Sequence, residues 1–112
     1  MDHQYYKEYY DLERNHWWFV AREKIITNYI EKLLRDEKLQ GKSLKILNIG
    51  CGPGRSSEYL SKFGEVVSIE YDKFCCEFAS QKTGLKIIHG SITELPFEDE
   101  AFDLVCAFDV IE

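Results

Sequence analysis

The chain begins with a helical pattern of apolar residues. From Trp18 onward, apolar positions recur every three or four residues, at Ala21, Ile25, Ile26, Tyr29, Ile30, Leu33 and Leu34. This spacing predicts an amphipathic helix, and Gly41 is a typical residue to end it. The same region carries a dense aromatic patch: Tyr5, Tyr6, Tyr9, Tyr10, His16, Trp17, Trp18 and Phe19. We therefore predict an N-terminal helical leader, or lid, over residues 1–40.

After residue 41 the pattern changes to short apolar runs that alternate with helical segments. Strands are predicted at residues 45–49, 66–69, 86–89 and 102–108, and helices at residues 56–63 and 73–81. Gly64 and Gly84 are expected to end the two helices. Short strands that alternate with helices indicate an α/β fold in which right-handed crossovers connect the strands of a parallel sheet. Residues 41–112 are thus predicted to form one partial domain of this type.

Three glycines, Gly50, Gly52 and Gly54, directly follow the first predicted strand. Ligands of such sheets bind beyond the carboxyl ends of the strands, and glycine lets a ligand approach backbone N–H groups closely. Glu70 ends the second strand about 20 residues later, where a carboxylate is suited to hydrogen-bond the hydroxyls of a ribose. Arg55 replaces the last glycine of the G-x-G-x-x-G dinucleotide pattern. A nicotinamide dinucleotide domain is therefore disfavoured, although it stays an alternative.

Three segments together resemble successive motifs of class I S-adenosylmethionine-dependent methyltransferases, in particular the small-molecule group called type 11. They are "ILNIGCGPGRSSEYL", "VVSIEYD" and "GSITELPFEDEAFDLVCAFDVIE", which fall within residues 44–112. The segment "HWWFVAREKII" resembles the leader helix of some members. The resemblance implies a Rossmann-like methyltransferase fold with sheet order 3-2-1-4, S-adenosyl-L-methionine as cofactor, and methyl transfer to an acceptor expected to be a small molecule.

The resemblance also implies a set of cofactor-binding residues at the strand ends. The set is Asn48, Gly50, Cys51, Gly52, Gly54, Glu70, Tyr71, Ser91, Ile92, Phe108 and Asp109. In the family the glycine loop contacts the methionine portion, the acidic residue after the second strand holds the ribose, and the loop after the third strand holds the adenine. This chain departs from the family at Asn48 and Ser91, where aspartate is usual. Asn48 consequently adds no negative charge near the cofactor's ammonium group.

No catalytic residue is assigned, because a sulfonium methyl donor is already activated and needs mainly alignment and exclusion of water. If the acceptor is a hydroxyl, His16, His89 or Glu112 are candidate general bases. The aromatic patch has two interpretations: it folds over the cofactor, or it packs the leader onto the sheet. Packing is favoured because aromatic residues at helical spacing usually belong to a core. Arg22 could reach a carboxylate in the site, although an exposed helical position is expected.

Composition excludes several classes of function. The net charge is −6 and basic residues form no stripe, which argues against nucleic-acid binding. The four cysteines, Cys51, Cys75, Cys76 and Cys106, form no C-x-x-C pair. We therefore expect reduced thiols and no metal, with Cys75, Cys76 and Cys106 as small buried apolar residues. Because neither a secretory signal nor a run long enough to cross a bilayer is visible, no membrane association and a cytoplasmic location are expected.

The family has further strands after the fourth, whereas this sequence stops at Glu112. The apolar fourth strand, "FDLVCAF", would then be an unpaired edge, which tends to recruit another chain. We expect a homo-oligomer formed through that edge or through swapped elements. Two functional alternatives stay open: the cofactor-binding half of a methyltransferase, and a binding module without turnover.

Overall fold

The computed structural model describes residues 3–35, 44–91 and 101–108. The leader consists of two helices, α1 (His3–Asn15) and α2 (Trp17–Leu33). His16 separates them because its backbone is extended and its Nδ1 accepts a hydrogen bond from the Trp18 N–H at 3.3 Å, which caps α2. The prediction that one helix runs to Gly41 was wrong in length: α2 ends at Leu33, and Gly41 lies outside the described residues.

Four parallel strands follow the leader in the order β3-β2-β1-β4, which confirms the predicted topology. The strands are β1 (Leu44–Ile49), β2 (Gly64–Glu70), β3 (Ile87–His89) and β4 (Leu104–Ala107). The helices between them are α3 (Arg55–Leu60) and α4 (Lys73–Thr83). Each predicted strand and helix of this part is present, and the boundaries differ by a few residues. Gly64 does not simply end a helix; it opens β2, where a Cβ would lie 2.3 Å from the Leu44 carbonyl oxygen.

The core lies on both faces of the central strand β1. On one face Ile46, which is fully buried, packs in a cluster with Ile30, Tyr59 and Leu60. On the other face Leu47 and Ile49 pack with Ile69 of β2. A strand covered on both sides needs the near-continuous apolar run that the sequence shows. This buried strand fixes the position of the loop that follows it.

The face of α2 that packs on the core is narrower than the sequence pattern predicts. Ile26, Ile30 and Leu34, which are four residues apart, contact the core cluster. Ile25 and Tyr29 belong to the predicted stripe but are 70% and 63% exposed. The helix therefore buries a single row of side chains.

Two ion pairs attach the leader to α3. The guanidinium group of Arg55 donates to both carboxylate oxygens of Glu23, at 2.7 and 3.1 Å, and Arg14 of α1 pairs with Glu58. The fork geometry of the first pair fixes direction as well as distance. Because α3 follows the glycine loop directly, these pairs hold the leader beside that loop.

Cys75, Cys76 and Cys106 are buried, as predicted, and Cys51 is buried as well. Burial raises the pKa of the Cys51 thiol to about 12 and that of Cys106 to about 11, so both stay protonated at neutral pH. In the described ranges, no helix is both long and apolar enough to cross a membrane.

Candidate functional site

A cavity of about 560 Å³ lies between the carboxyl ends of the strands and the leader helices. This volume is typical of a small-molecule site. The sheet side of its wall consists of Ile49, Gly50, Cys51, Gly52, Pro53, Ser56, Ile69, Glu70, Tyr71, Cys75, Gly90, Ser91 and Phe108. The leader side consists of Tyr5, Tyr6, Tyr9, Glu13, Trp18, Phe19 and Arg22. The site is thus built from both parts of the chain.

The glycine loop after β1 has a backbone conformation that favours glycine. Gly50, Gly52 and Gly54 have φ values of 70°, 58° and 108°, in the left-handed region that other residues rarely adopt. A Cβ placed on Gly52 would meet no atom within 4 Å among the described residues, so the backbone there is open to the cavity. Gly50 and Gly52 both line the cavity, in agreement with their predicted place in the site.

Gly54 has a different reason to be glycine, and its predicted place in the cavity wall needs correction. It is buried and does not line the cavity. A Cβ at this position would lie 2.7 Å from Thr83 Cγ2 and 3.4 Å from Ala79 Cβ, both on α4. The missing side chain therefore permits close packing of the loop on α4.

Glu70 connects the end of β2 to the glycine loop. Its Oε1 accepts a hydrogen bond from the Gly52 N–H at 3.1 Å, and its Oε2 accepts one from the Asp72 N–H at 2.8 Å. A carboxylate offers about four acceptor sites, so two remain for other donors. Because Glu70 also lines the cavity, its carboxylate can both hold the loop and receive hydroxyl donors from a ligand.

Asn48 lies beneath the site instead of in its wall, which corrects its predicted position. It is fully buried, and its amide donates to the hydroxyls of Ser56 and Ser57 at 2.9 and 3.3 Å. Ser57 in turn shares a hydrogen bond of 2.6 Å with Ser68. This polar network attaches α3 to the central strands, so Asn48 supports the loop from below.

The other predicted contacts divide into two groups. Cys51, Tyr71, Ser91 and Phe108 line the cavity, as expected for residues at the ends of the four strands. Ile92 and Asp109 lie outside the described residues. Since the Cys51 thiol stays protonated, this cysteine contributes shape to the cavity and no nucleophile.

The aromatic patch contributes both to packing and to the wall of the cavity. Tyr6 stacks on Phe74 of α4 with ring centroids 5.9 Å apart, and Tyr10 meets Phe78 edge-on at 5.8 Å. These contacts dock α1 on α4, as the packing interpretation predicts.

Other aromatic residues of the leader line the cavity. Tyr5, Tyr9, Trp18 and Phe19 line it, and Trp18 is still 45% exposed. Tyr9 and Trp18 each meet Phe19 edge-on, at 5.5 and 4.9 Å between ring centroids. Packing alone was therefore too narrow an expectation, because these rings line the same cavity as the glycine loop.

The candidate bases do not reach the cavity in the described part of the chain. His16 is exposed and caps α2, and His89 is exposed with its Nε2 2.8 Å from the Tyr71 carbonyl oxygen. Neither lines the cavity, and Glu112 lies outside the described residues. Arg22, expected to be exposed, is half-buried and lines the cavity, with its guanidinium 5.0 Å from the ring centre of Trp18.

Glu13 is a wall residue that the sequence analysis did not identify. It is 6% exposed and accepts a hydrogen bond from the Arg55 backbone N–H. Burial raises its pKa to about 7, although the guanidinium groups of Arg14, Arg22 and Arg55 oppose this rise. A signal was present: Glu13 follows Tyr6 by two helical turns and so lies on the same buried face of α1.

Comparison with known proteins identifies the class of protein to which this fold and site belong. The family model of the methyltransferase domain matches residues 47–112, and the chain belongs to this family. This match decides against the nicotinamide dinucleotide domain that the sequence analysis kept as an alternative.

Individual relatives agree with this family. The chain is 39% identical over 72 residues to a demethylmenaquinone methyltransferase of Staphylococcus aureus, in a match that covers 57% of this chain and 30% of the relative. A Methanococcus maripaludis protein, assigned as an S-adenosyl-L-methionine-dependent methyltransferase, superposes with a TM-score of 0.75 at 20% identity. That superposition covers 97% of this chain, leader helices included, and 51% of the other protein.

A second similar structure has been solved with ligands. It is phosphoethanolamine N-methyltransferase 1 of Haemonchus contortus in complex with phosphoethanolamine and S-adenosylhomocysteine. The superposition has a TM-score of 0.54 at 20% identity and covers 58% of this chain and 15% of that protein. The matches span 30% of the length of the Staphylococcus aureus relative and 51% of that of the Methanococcus maripaludis protein.

Proposed function

We propose that the cavity between the glycine loop and the leader binds S-adenosyl-L-methionine, and that the chain is the donor-binding part of a methyltransferase. The observation that carries the proposal is the joint position of Gly52 and Glu70 in one wall. The open backbone of Gly52 can lie against the amino-acid portion of the donor, and the two unused acceptor sites of Glu70 suit the ribose hydroxyls. Membership of the methyltransferase-domain family supports the same ligand.

When bound, S-adenosyl-L-methionine supplies a methyl group on a positively charged sulfur that is already activated for transfer. The described residues would bind, orient and shield it. The loop fixes the donor by backbone contacts, while Tyr5, Tyr9 and Trp18 cover the cavity and exclude water. Binding and orienting the donor require no general base among the described residues.

The acceptor is proposed to be a small molecule whose identity the site does not specify. Demethylmenaquinone is the substrate named for the Staphylococcus aureus relative, and phosphoethanolamine is bound to the Haemonchus contortus enzyme. These two acceptors differ in size, charge and polarity, while the donor fold is common to both proteins. The fold that this chain shares with both proteins therefore supports the proposed methyl donor and indicates no particular acceptor.

Titration calorimetry with S-adenosylhomocysteine, S-adenosyl-L-methionine and NAD tests the proposal. We expect both adenosyl-amino-acid compounds to bind and NAD to bind more weakly than either. Methyl transfer from labelled S-adenosyl-L-methionine to candidate acceptors would then separate an enzyme from a binding module without turnover. Absence of binding by both adenosyl compounds would refute the proposed function.

A further inference from the structure

Glu13 is a buried carboxylate that the contacts of the fold do not fully satisfy. Its Oε1 is shielded from solvent and has no hydrogen-bond partner among the residues that the structure describes. A buried carboxylate without its partners is costly, so such a group usually has a counterpart. Its position in the cavity wall, next to the glycine loop through the Arg55 N–H, indicates that the counterpart is a ligand.

The charge pattern around the cavity supports a cationic group at Glu13. Beneath the loop, Asn48 of β1 is uncharged and donates to the hydroxyls of Ser56 and Ser57, so it offers no carboxylate to the cavity. The other carboxylate of the wall, Glu70, accepts from two backbone N–H groups, and its remaining acceptor sites are assigned to the ribose hydroxyls in the proposed function. Glu13 is thus the remaining acidic side chain of the described wall that can face the amino-acid end of a ligand.

Arg22 lies in the same part of the wall and carries the opposite charge. It comes from α2, is half-buried, and its guanidinium lies 5.0 Å from the ring centre of Trp18 and 5.6 Å from that of Phe19. A guanidinium held against aromatic rings is well suited to bind a carboxylate. Glu13 and Arg22 therefore place a carboxyl group and a guanidinium group in the wall of the same cavity, near enough for Arg22 to oppose the rise in the pKa of Glu13.

We infer that Glu13 and Arg22 form a clamp for an α-amino acid group, in which Glu13 binds the ammonium and Arg22 the carboxylate of the donor's methionine portion. The inference rests on the proposed function and deepens it, because it assigns recognition of the donor's amino-acid end to the leader helices. The glycine loop and Glu70 then recognise the rest of the donor. The leader helices thereby become part of the binding site.

Two ligands separate this inference from the proposed function. S-adenosylhomocysteine carries both charged groups, whereas 5′-methylthioadenosine has the same nucleoside and sulfur but no amino-acid group. Glu13→Gln should weaken binding of S-adenosylhomocysteine about tenfold or more, the usual effect of losing a charge-assisted hydrogen bond, and leave 5′-methylthioadenosine binding unchanged. The matched control is Glu8→Gln, which removes the same charge from an exposed position of α1.

Arg22→Gln tests the other half of the clamp. This substitution should weaken the binding of S-adenosylhomocysteine about tenfold or more, and it should leave the binding of the decarboxylated analogue unchanged. If the unmodified chain binds neither S-adenosylhomocysteine nor 5′-methylthioadenosine, the proposed function itself fails. If it binds both, and Glu13→Gln changes their affinities by equal factors or not at all, the clamp is refuted and the proposed function stands.

A measurement on the unmodified chain keeps the test valid even if a variant fails to fold. Because a bound ammonium favours the ionised carboxylate, S-adenosylhomocysteine should release protons on binding at pH 6–7, and 5′-methylthioadenosine should not. Calorimetry in buffers of different ionisation enthalpy measures this release. The titratable groups that act on Glu13 come from α1, α2, α3, the glycine loop and α4: Arg14, Arg22, Arg55, Tyr59, Cys51 and Cys75. Equal proton release for both ligands would contradict the clamp.

Discussion

The carboxylate of Glu70 accepts a hydrogen bond from the backbone N–H of Gly52 at 3.1 Å, and so joins the end of β2 to the loop after β1. The two motifs that the sequence separates by 18 positions thus form one wall of the cavity. The bond fixes a loop whose backbone conformation is otherwise accessible mainly to glycine. The same carboxylate therefore shapes the site and keeps acceptor sites for a ligand.

Replacing Glu70 tests this dual role. Glu70→Ala should weaken binding of S-adenosylhomocysteine by about 1–3 kcal/mol, because ribose hydroxyls and the Gly52 N–H lose their acceptor. Titration calorimetry measures the change. Glu65→Ala, which removes an exposed carboxylate from the same strand, is the control and should bind normally. Unchanged affinity in Glu70→Ala would show that this carboxylate does not contact the ligand.

Substitutions of Gly52 and Gly54 should have different effects on stability, because Gly52 faces the cavity and Gly54 packs on α4. Gly54→Ala should destabilise the fold by about 2–4 kcal/mol, because its Cβ would collide with Thr83 and its φ is 108°. Gly52→Ala should cost only about 1–2 kcal/mol for the left-handed conformation, since its Cβ would point into open space. Thermal unfolding and ligand titration of both variants measure the difference.

The control for this pair is Thr83→Ser, which removes the methyl group that the new Cβ would meet. The double variant Gly54→Ala/Thr83→Ser should recover part of the lost stability, while Gly52→Ala should gain nothing from Thr83→Ser. Equal destabilisation by the two glycine substitutions, without any recovery, would contradict the packing role of Gly54.

Glu13 should reduce the stability of the ligand-free chain at high pH. Its pKa is raised from 4.5 to about 7 in the folded state, so the folded chain binds the additional proton and loses stability as pH rises through this range. Glu13→Gln should therefore be more stable than the unmodified chain at pH 8, on the order of 2 kcal/mol, and equally stable at pH 4. Urea unfolding at both pH values measures this difference. A variant that is less stable at pH 8 would show that Glu13 is paired within the fold.

Self-association through β4 stays a prediction, and one substitution tests it. Within the described residues β4 pairs only with β1, and Val105 on it is 57% exposed. If this edge recruits a second chain, Val105→Lys should lower the apparent mass in light scattering at high concentration. Ile25→Lys, an equal change at an exposed position of α2, should leave the mass unchanged. A monomer at all concentrations before any substitution would refute the prediction.

The Rossmann-like parallel sheet could be predicted because its signals are local. The apolar run of β1 and the glycines after it determine a buried strand followed by a left-handed loop. Glu70 could be assigned because parallel strands end at the same edge of a sheet, so its distance along the chain implies proximity to Gly52. The family resemblance used these same segments, and the family match to residues 47–112 confirmed it.

The leader shows where sequence patterns were insufficient. The pattern predicted one helix with a broad apolar stripe. Instead, the helix is interrupted at His16, and α2 buries a single row of side chains. Sequence periodicity cannot tell which side of an aromatic helix meets a core and which side faces a cavity, because both environments favour the same rings. Tyr6 stacks on Phe74 and also lines the cavity, whereas Trp18 lines the cavity and stays 45% exposed. This difference depends on the positions of α4 and of the glycine loop.

By itself, the sequence determined the succession of strands and helices, the open backbone of the glycine loop and the place of Glu70, because period, glycine spacing and strand ends are properties of neighbouring residues. The strand order followed from the family resemblance that these segments carry. Only the tertiary structure decided that Asn48 and Gly54 support the site from below and that Glu13 and Arg22 of the leader enter its wall. These roles depend on the docking of α1 and α2 against α3 by ion pairs between residues far apart in the chain. Burial and electrostatic environment arise from such long-range contacts, which no local pattern specifies.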